Sequence, residues 1–178
     1  MITLTTERLT LRQPTETDVP ALAEMNGDPE VMRYIGDGTP YDSQDHERAR
    51  ASIARAGQQW ADHGHGMLSV LIKETGEYTG WVTLAEPKFL PEVLPAVEIG
   101  WRFRHGQWGH GYATEAARAL LDFAFTRAGL DRVVSIRNVD NVRSGRVMEK
   151  LGLQREFDTV IPDNGVRVAV HAISAPRS

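Results

Sequence analysis

The stretch Gln107-Trp108-Gly109-His110-Gly111-Tyr112-Ala113-Thr114-Glu115 decides how this chain is interpreted. It follows an apolar run, Val97 to Phe103, and leads into an amphipathic run from Ala116 to Ala128. The chain therefore passes from a predicted strand to a predicted helix at two glycines, where the backbone can turn tightly. A helix start carries unpaired N–H groups and a positive dipole end, which suit a phosphate. The glycines alone are equally compatible with an ordinary connecting loop.

Length and composition are typical of a soluble globular protein. The 178 residues, 41% hydrophobic and 25% charged, are enough to bury a sizeable core. The net charge of −4 argues against a nucleic-acid partner, because phosphate-binding surfaces concentrate positive charge. The absence of cysteine excludes disulfides and thiolate metal sites. No stretch resembles a signal peptide or a membrane span, so we expect a cytoplasmic protein with no membrane partner.

The pattern of apolar residues predicts alternating strands and helices without an internal repeat. The predicted strands are a short one from Leu9 to Leu11 and residues 67–72, 78–84, 96–103, 132–137 and 166–173. The predicted helices are residues 18–26, capped by Asp18, and residues 44–62, 116–128 and 141–151. This order predicts an α/β domain with a mixed sheet.

Two residues in the predicted strand before the motif are unusual. Glu98 lies between apolar neighbours, and a carboxylate facing the core there would have a raised pKa, as a general base needs. Simple alternation instead favours Glu98 facing solvent, with Val97 and Ile99 buried. Gly100 predicts a bulge or a close approach by another backbone or a ligand. A strand that bends away from its neighbour at this point has free peptide groups, which could pair with an extended amide-bearing ligand.

Two further segments carry residue types that often do chemistry. Asn141 and Ser144 stand three apart at a predicted helix start, so both can face one side of the first turn, although caps and turns use the same residues. The segment Asp62-His63-Gly64-His65-Gly66 brings two imidazoles and a carboxylate together. A metal needs ligands held in a defined geometry, which a glycine-rich turn does not supply, so we expect no metal site.

Taken in order, these residues resemble a known family. The matching pieces are Thr6 to Arg12, Asp28 to Tyr34, Trp108 to Ala116, the residues Asn138, Asn141 and Ser144, and the run Glu149 to Leu153. Together they resemble the GNAT superfamily of acyl-CoA-dependent N-acetyltransferases, and within it the RimJ/RimL type of ribosomal-protein N-acetyltransferases. The likeness covers nearly the whole chain. It implies a GNAT-like fold, with a central, mostly antiparallel sheet flanked by helices.

The resemblance also implies how the chain is organised and where acetyl-CoA binds. We expect one domain over residues 1–178, with acceptor-side elements mostly in 1–95, an acyl-CoA-binding core in 96–153 and C-terminal strands in 154–174. The positions that match the family's coenzyme A contacts are Trp108, Gly109, His110, Gly111, Ala113 and Thr114 for the pyrophosphate, Trp101 and Phe103 for backbone pairing with pantetheine, and Asn141 for its thiol end. Trp108 replaces the family's arginine or glutamine before the first glycine.

For the chemistry, the resemblance implies direct transfer of an acetyl group to a primary amine. Glu98 matches an acidic position often proposed as the base, directly or through water. The superfamily's tyrosine acid is Met148 here, which brings forward Ser144 as the hydroxyl near the departing thiolate. A strand N–H near Ile99 or Gly100 would stabilise the oxyanion. A non-catalytic acyl-CoA sensor remains an alternative, and Met148 is compatible with it.

A dinucleotide-binding oxidoreductase is a weaker alternative. Its fingerprint needs a third glycine where this chain has Thr114, and Asp131 precedes the next strand instead of ending it. The acceptor amine, a small molecule or a protein N-terminus, is left open by the sequence. Seven acidic residues in the first half could attract a cationic amine, although a solvated face is the commoner role: Glu24, Asp28, Glu30, Asp37, Asp42, Asp45 and Glu47. A homodimer could form through an exposed final strand.

Overall fold

One open sheet of eight strands runs through residues 2–176, the part of the chain that this computed structural model describes. The strands are β1 Thr3–Thr5, β2 Leu9–Arg12, β3 Leu68–Ile72, β4 Tyr78–Ala85, β5 Glu98–Phe103, β6 Arg132–Asn138, β7 Gln154–Val160 and β8 Arg167–Ser174. Their spatial order is β1-β2-β3-β4-β5-β6-β8-β7. Only β5 and β6 pair in parallel among these neighbours. The expected mixed, mostly antiparallel sheet is confirmed.

Helices cover both faces of this sheet. They are α1 Val19–Gly27, α2 Pro29–Met32, α3 His46–His63, α4 Tyr112–Thr126 and α5 Val142–Leu151. The α4 helix packs Ala117, Leu120 and Ala124, all fully buried, against β2, β4 and β5. Each large aliphatic side chain buried in this way contributes about 1.5–3 kcal/mol. Every helix among residues 2–176 is too short or too polar to span a bilayer.

Asp18 does not cap α1 as predicted. Its side chain is almost fully buried and pairs with the Arg12 guanidinium at 2.8 Å, while accepting hydrogen bonds from Thr15 N–H at 2.9 Å and Ser69 Oγ at 2.8 Å. Burial pushes the pKa of Asp18 upward, but these hydrogen bonds outweigh it and hold the pKa below its usual value. The carboxylate therefore ties β2 and β3 to the turn before α1.

The edges of the sheet also differ from expectation. The final strand, β8, lies between β6 and β7 and is mostly buried, so the prediction that it is exposed is wrong. The exposed edge on this side is β7. At the other edge, β1 was not predicted because its three residues show no apolar alternation.

Candidate functional site

A gap opens between β5 and β6 in the middle of the sheet. Their register consists of a single pair, Glu98 with Val134, after which the strands diverge. Side chains hold the gap open at its narrow end. The N–H of Ile136 donates to Glu98 Oε1 at 3.3 Å, and Ser135 Oγ donates to the carbonyl of Ile99 at 2.8 Å. Both bonds replace backbone pairs that a regular parallel ladder would make.

The peptide groups of Trp101 face into this gap. Successive residues of a strand point their peptide groups to opposite edges. The carbonyls of Val97 and Ile99 point toward β6, so those of Trp101 and Phe103 do as well. The carbonyl of Phe103 accepts the indole N–H of Trp108 at 2.9 Å, which leaves Trp101 as the residue whose N–H and C=O lack a strand partner. Of the two positions expected to pair with pantetheine, Trp101 has the freer backbone.

Gly100 makes no bulge against β4. The β4–β5 register runs without interruption through six pairs, and Gly100 lies opposite Thr83. The peptide groups of Gly100 therefore belong to the β4 ladder, and the N–H of Ile99 pairs with β6 at the single parallel bridge. Neither can stabilise an oxyanion as expected, because both N–H groups are already bonded. The bend lies on the other edge of β5, where the gap opens.

Glu98 alternates with the buried Ile99 and is partly exposed as a residue, but its carboxylate turns toward β6 instead of facing solvent. Its carboxylate is desolvated, and within residues 2–176 its one hydrogen bond is the long one from Ile136 N–H. Burial raises the pKa of Glu98 to about 8, and the single hydrogen bond offsets this effect only in part. A carboxyl group with this pKa exchanges protons near neutral pH, which is the property that a general base requires.

The loop between β5 and α4 presents a run of free N–H groups. Gly109 and Gly111 both have left-handed backbone angles, with φ of +83° and +81°. No acceptor among residues 2–176 binds the N–H groups from Gly109 to Thr114, and no side chain caps α4. A side chain at Gly109 would meet nothing within 4 Å. The loop thus offers backbone donors, open space and a helix N-terminus together, and this fits a pyrophosphate.

Thr6 and Arg8, in the turn between β1 and β2, bind Glu115 and so form a clamp that fixes this loop. Thr6 Oγ1 donates to Glu115 at 2.6 Å, and Arg8 Nε donates to the same carboxylate at 2.7 Å. Arg8 also donates to the carbonyl of His110 at 2.9 Å and stacks over the Tyr112 ring. Because Glu115 is fully engaged, the first turn of α4 keeps its positive end without a free carboxylate beside it.

Trp108 anchors the loop to the end of β5. Its backbone N–H donates to His105 and its indole N–H to Phe103, so both of its donors are bonded within the protein. The Arg143 guanidinium lies 4.7 Å from the centre of its ring. Trp108 therefore joins the loop to the start of α5, and neither of its N–H donors is free to bind a ligand.

The start of α5 presents two polar side chains with spare capacity. Asn141 caps the helix by accepting the N–H of Ser144 at 3.2 Å, and its own amide N–H groups donate to no residue from 2 to 176. The hydroxyl of Ser144 is likewise unbonded within that range and is only partly buried. Met148, in contrast, has 1% of its surface exposed and belongs to the main core.

The acidic residues of the first half have structural partners. Asp28 and Asp45 cap α2 and α3, and Asp37 and Asp42 accept turn N–H groups. Glu24, Glu30 and Glu47 face Arg104, Arg33 and Arg50. They form a solvated face, which is their commoner role. Within residues 2–176 no group of three or more potential ligands could hold a metal, and His65 instead bonds the carbonyl of Leu84.

Three residues that contact the candidate site were not predicted as site residues from the sequence: Arg8, Arg143 and Arg102. Arg8 acts on residues more than a hundred positions away, and Arg143 acts by stacking, so neither has a local signal. Arg102 is one strand position beyond Trp101, and its alternation with Glu98 and Gly100 was the available clue.

Comparison with known proteins agrees with this geometry. The family model described as "Acetyltransferase (GNAT) domain" matches residues 8–154. This chain belongs to the GNAT acetyltransferase family. It is 31% identical to a Bacillus licheniformis protein named an uncharacterized N-acetyltransferase, over 88% of this chain and 84% of that one. An acetyltransferase structure from Agrobacterium tumefaciens superposes with a TM-score of 0.81 at 31% identity, covering 98% of this chain and 95% of the other.

Ribosomal-protein acetyltransferases are among the similar structures. RimL, named as a ribosomal L7/L12 alpha-N-protein acetyltransferase in complex with coenzyme A, has a TM-score of 0.78 over 97% of this chain and 98% of its own. Its identity is 17%, so this likeness concerns the fold. With the family established, the chain is an acyl-CoA-dependent N-acetyltransferase and not a dinucleotide-binding oxidoreductase.

Proposed function

We propose that this protein moves an acetyl group from acetyl-CoA directly to a primary amine while both are bound. The observation that carries the proposal is the run of unbonded N–H groups from Gly109 to Thr114, beside a strand edge whose Trp101 peptide groups are also free. Coenzyme A presents phosphate and amide groups among others, and these two groups require these two kinds of partner. RimL, a protein of the same fold, is known in complex with coenzyme A.

The donor supplies an acyl thioester, which is activated toward an amine. The loop would hold its pyrophosphate through backbone N–H groups, with Gly109 and Gly111 keeping side chains out of the way. The N–H and C=O of Trp101 would pair with the pantetheine amides along the gap. The spare amide N–H groups of Asn141 would reach the thiol end from the opposite wall.

The acceptor amine must lose a proton, and Glu98 is positioned to take it. Its carboxylate sits at the narrow end of the gap, and its raised pKa makes it an effective acceptor near pH 8. A buried base also favours a neutral, desolvated amine, which is the reactive form. Glu98 can act on the amine directly or through one water molecule.

Ser144 would hydrogen-bond the departing thiolate. Its hydroxyl makes no hydrogen bond within residues 2–176, so it is free to donate one to the thiolate. Met148 cannot perform this role because it is packed in the core. Much of the rate enhancement would come from holding amine and donor together, so neither Glu98 nor Ser144 alone accounts for it.

Heat stability in the presence of acetyl-CoA tests the donor site. At a ligand concentration a hundred times its Kd, binding adds about 2.7 kcal/mol to the free energy of unfolding, which is a shift in Tm of about 5–10 °C for a chain of this size. Gly111→Trp should abolish the shift, because its side chain fills the cradle. No shift in the wild-type protein with any acyl-CoA would contradict the proposal.

Gly129→Trp is the matched control. Gly129 also has a left-handed φ, +69°, so the two variants carry the same backbone strain of roughly 1–2 kcal/mol. It lies beyond the opposite end of α4, and no atom lies within 4 Å of its added Cβ. This control should keep the acetyl-CoA shift. Release of free thiol with a panel of amines then separates an enzyme from a sensor that only binds.

A further inference from the structure

A patch in the middle of the sheet is only partly covered on the face that carries α1. On the α4 face of β4 and β5, Trp101 is partly buried and the other large side chains are buried at 0–4%: Val82, Leu84, Ile99 and Phe103. On the other face, the residues are all only partly buried: Trp81, Thr83 and Ala85 on β4, and Glu98, Gly100 and Arg102 on β5. These six, which we call the sheet groove, are three directly paired couples in the β4–β5 register.

The floor of the sheet groove is made of small residues and its two ends are charged. Thr83, Ala85 and Gly100 form the floor, and a Cβ added at Gly100 would meet only the Thr83 methyl, at 3.5 Å. Glu98 and Arg102 stand four residues apart on the same strand face, so their Cα atoms are about 13 Å apart. The groove therefore places small side chains between a carboxylate and a guanidinium.

Arg102 lacks a charged partner. Its only hydrogen bond within residues 2–176 is from Nη1 to the neutral amide oxygen of Asn26, at 2.7 Å. No carboxylate of the described chain lies within 4 Å of it, whereas Arg12 and Arg104 are both ion-paired. Its Nε is sealed from solvent without an acceptor. Its Nη2 makes no bond to residues 2–176 but is not sealed in this way.

A desolvated arginine without a charged partner destabilises the folded protein unless an anion binds to it. Buried charges in proteins are normally paired, because loss of hydration costs more than a single neutral hydrogen bond returns. Burial also lowers the pKa of Arg102, which shows that its surroundings disfavour the positive charge. The Trp81 ring, 5.0 Å from the guanidinium, offsets only part of this cost.

We propose that Arg102 binds a carboxylate of the acceptor, and that the acceptor is an amino-acid-type amine whose amino group lies toward Glu98. This inference rests on the proposed acetyl transfer, since it names the substrate class of the same site. A carboxylate at Nη2 would supply the missing anion, and the groove floor would accept the carbon skeleton between the two ends. The choice also explains why position 100 is open above the floor, since a side chain there would divide the groove.

The experiment compares amino acids with the amines that result from their decarboxylation. Free-thiol release from acetyl-CoA gives kcat/KM for each pair, and the ratio within a pair isolates the carboxylate. The wild-type ratio should favour the amino acid by about ten- to a hundredfold, as expected for one charge-assisted hydrogen bond. Arg102→Met should bring the ratio close to one, and Arg102→Lys should restore part of it. Arg104→Met, the next residue on the same face but ion-paired to Glu24, should leave it unchanged.

Two further measurements keep the result interpretable. The acetyl-CoA heat shift should persist in Arg102→Met, which shows that the variant is folded and that its donor site is intact. If the wild-type protein releases no thiol with any amine, the proposed transfer fails, and calorimetric binding of amino acids to wild type and to Arg102→Met then decides the inference separately. Equal rates within each wild-type pair, or a ratio that survives Arg102→Met, would overturn it. Faster acetylation of peptides with neutral N-terminal segments than of free amino acids would also overturn it.

Discussion

Glu98→Gln removes the proton-accepting group at the narrow end of the gap and little else. Glutamine has nearly the same shape as glutamate, and its Oε1 can still accept the Ile136 N–H that Glu98 accepts at 3.3 Å. The spacing of β5 and β6 should therefore persist. Any change in the pH dependence of turnover can then be assigned to the lost carboxylate.

The size of the effect follows from the raised pKa. With a pKa of about 8, Glu98 is about one tenth ionised at pH 7 and about nine tenths ionised at pH 9. Wild-type kcat/KM should therefore rise about tenfold between these two pH values and then level off. Glu98→Gln should lower kcat/KM by about a hundredfold at pH 9 and abolish the inflection.

The assay must separate the enzyme from the acceptor, because amines titrate in the same range. An acceptor amine whose own pKa lies below 7 stays neutral throughout, so thiol release then reports the enzyme alone. A second, more basic amine should add its own inflection in both proteins. The same inflection in Glu98→Gln and in wild type with the weakly basic amine would remove Glu98 from the proposed mechanism.

Stability gives an independent check on the same group. Because burial raises the pKa of Glu98 from 4.5 to about 8, the folded state holds more protons than the unfolded state between these values. The free energy of unfolding should fall as pH rises through this window, by at most about 1.4 kcal/mol per pH unit from this group. Relative to wild type, Glu98→Gln should therefore gain stability at pH 8 compared with pH 5, as measured by denaturant unfolding.

Three other substitutions have distinct expected outcomes. Ser144→Ala should lower kcat by about tenfold or less while KM for acetyl-CoA and Tm stay unchanged, and a large rise in KM would point to donor binding instead. Met148→Tyr should lower the free energy of unfolding by about 1–3 kcal/mol through overpacking, and increased turnover would show that position 148 reaches the site. Asp18→Asn leaves Arg12 unpaired and should cost about 3 kcal/mol in denaturant unfolding. Because the pKa of Asp18 is lowered, this contribution should be present at neutral pH and disappear in wild type as acid titrates the carboxylate, and a pH-independent difference would contradict it.

Local patterns predicted the elements that bury a continuous face. The helix from Tyr112 to Thr126 and the strand from Arg132 to Asn138 each bury an apolar face, and their spacing was visible in the sequence. Strand β1 was missed because its three residues are strand only through the ladder with β2. Helix α4 begins four residues before the predicted start, since the open N–H groups of its first turn replace a recognisable side-chain cap.

The surroundings of single polar residues were harder to predict, because partners that are distant in sequence determine where their side chains lie. Alternation favoured an exposed Glu98, but the N–H of Ile136, 38 positions away, holds its carboxylate inside. Asp18 matched the pattern of a helix cap, yet Arg12 and Ser69 donate hydrogen bonds to its carboxylate oxygens. Gly100 predicted an irregularity in strand β5, but the sequence did not show that the strand departs from β6 and not from β4. The resemblance to a family supplied what spacing alone did not, namely the hypothesis that Glu98 and the glycine loop belong to one site.

The clamp between the N-terminal turn and α4 bears on the order in which the chain acquires its structure. Arg8 and Glu115 are separated by 107 positions, so this contact closes a very long loop, and its entropic cost is offset once the strands between them have assembled. During synthesis, the first residues must wait until α4 has emerged before they find their partner. We therefore expect the glycine loop to acquire its final structure late in folding. A ligand that binds it selects chains whose sheet is already complete, and nucleotide-like metabolites in the surroundings would stabilise finished molecules without trapping partly folded ones.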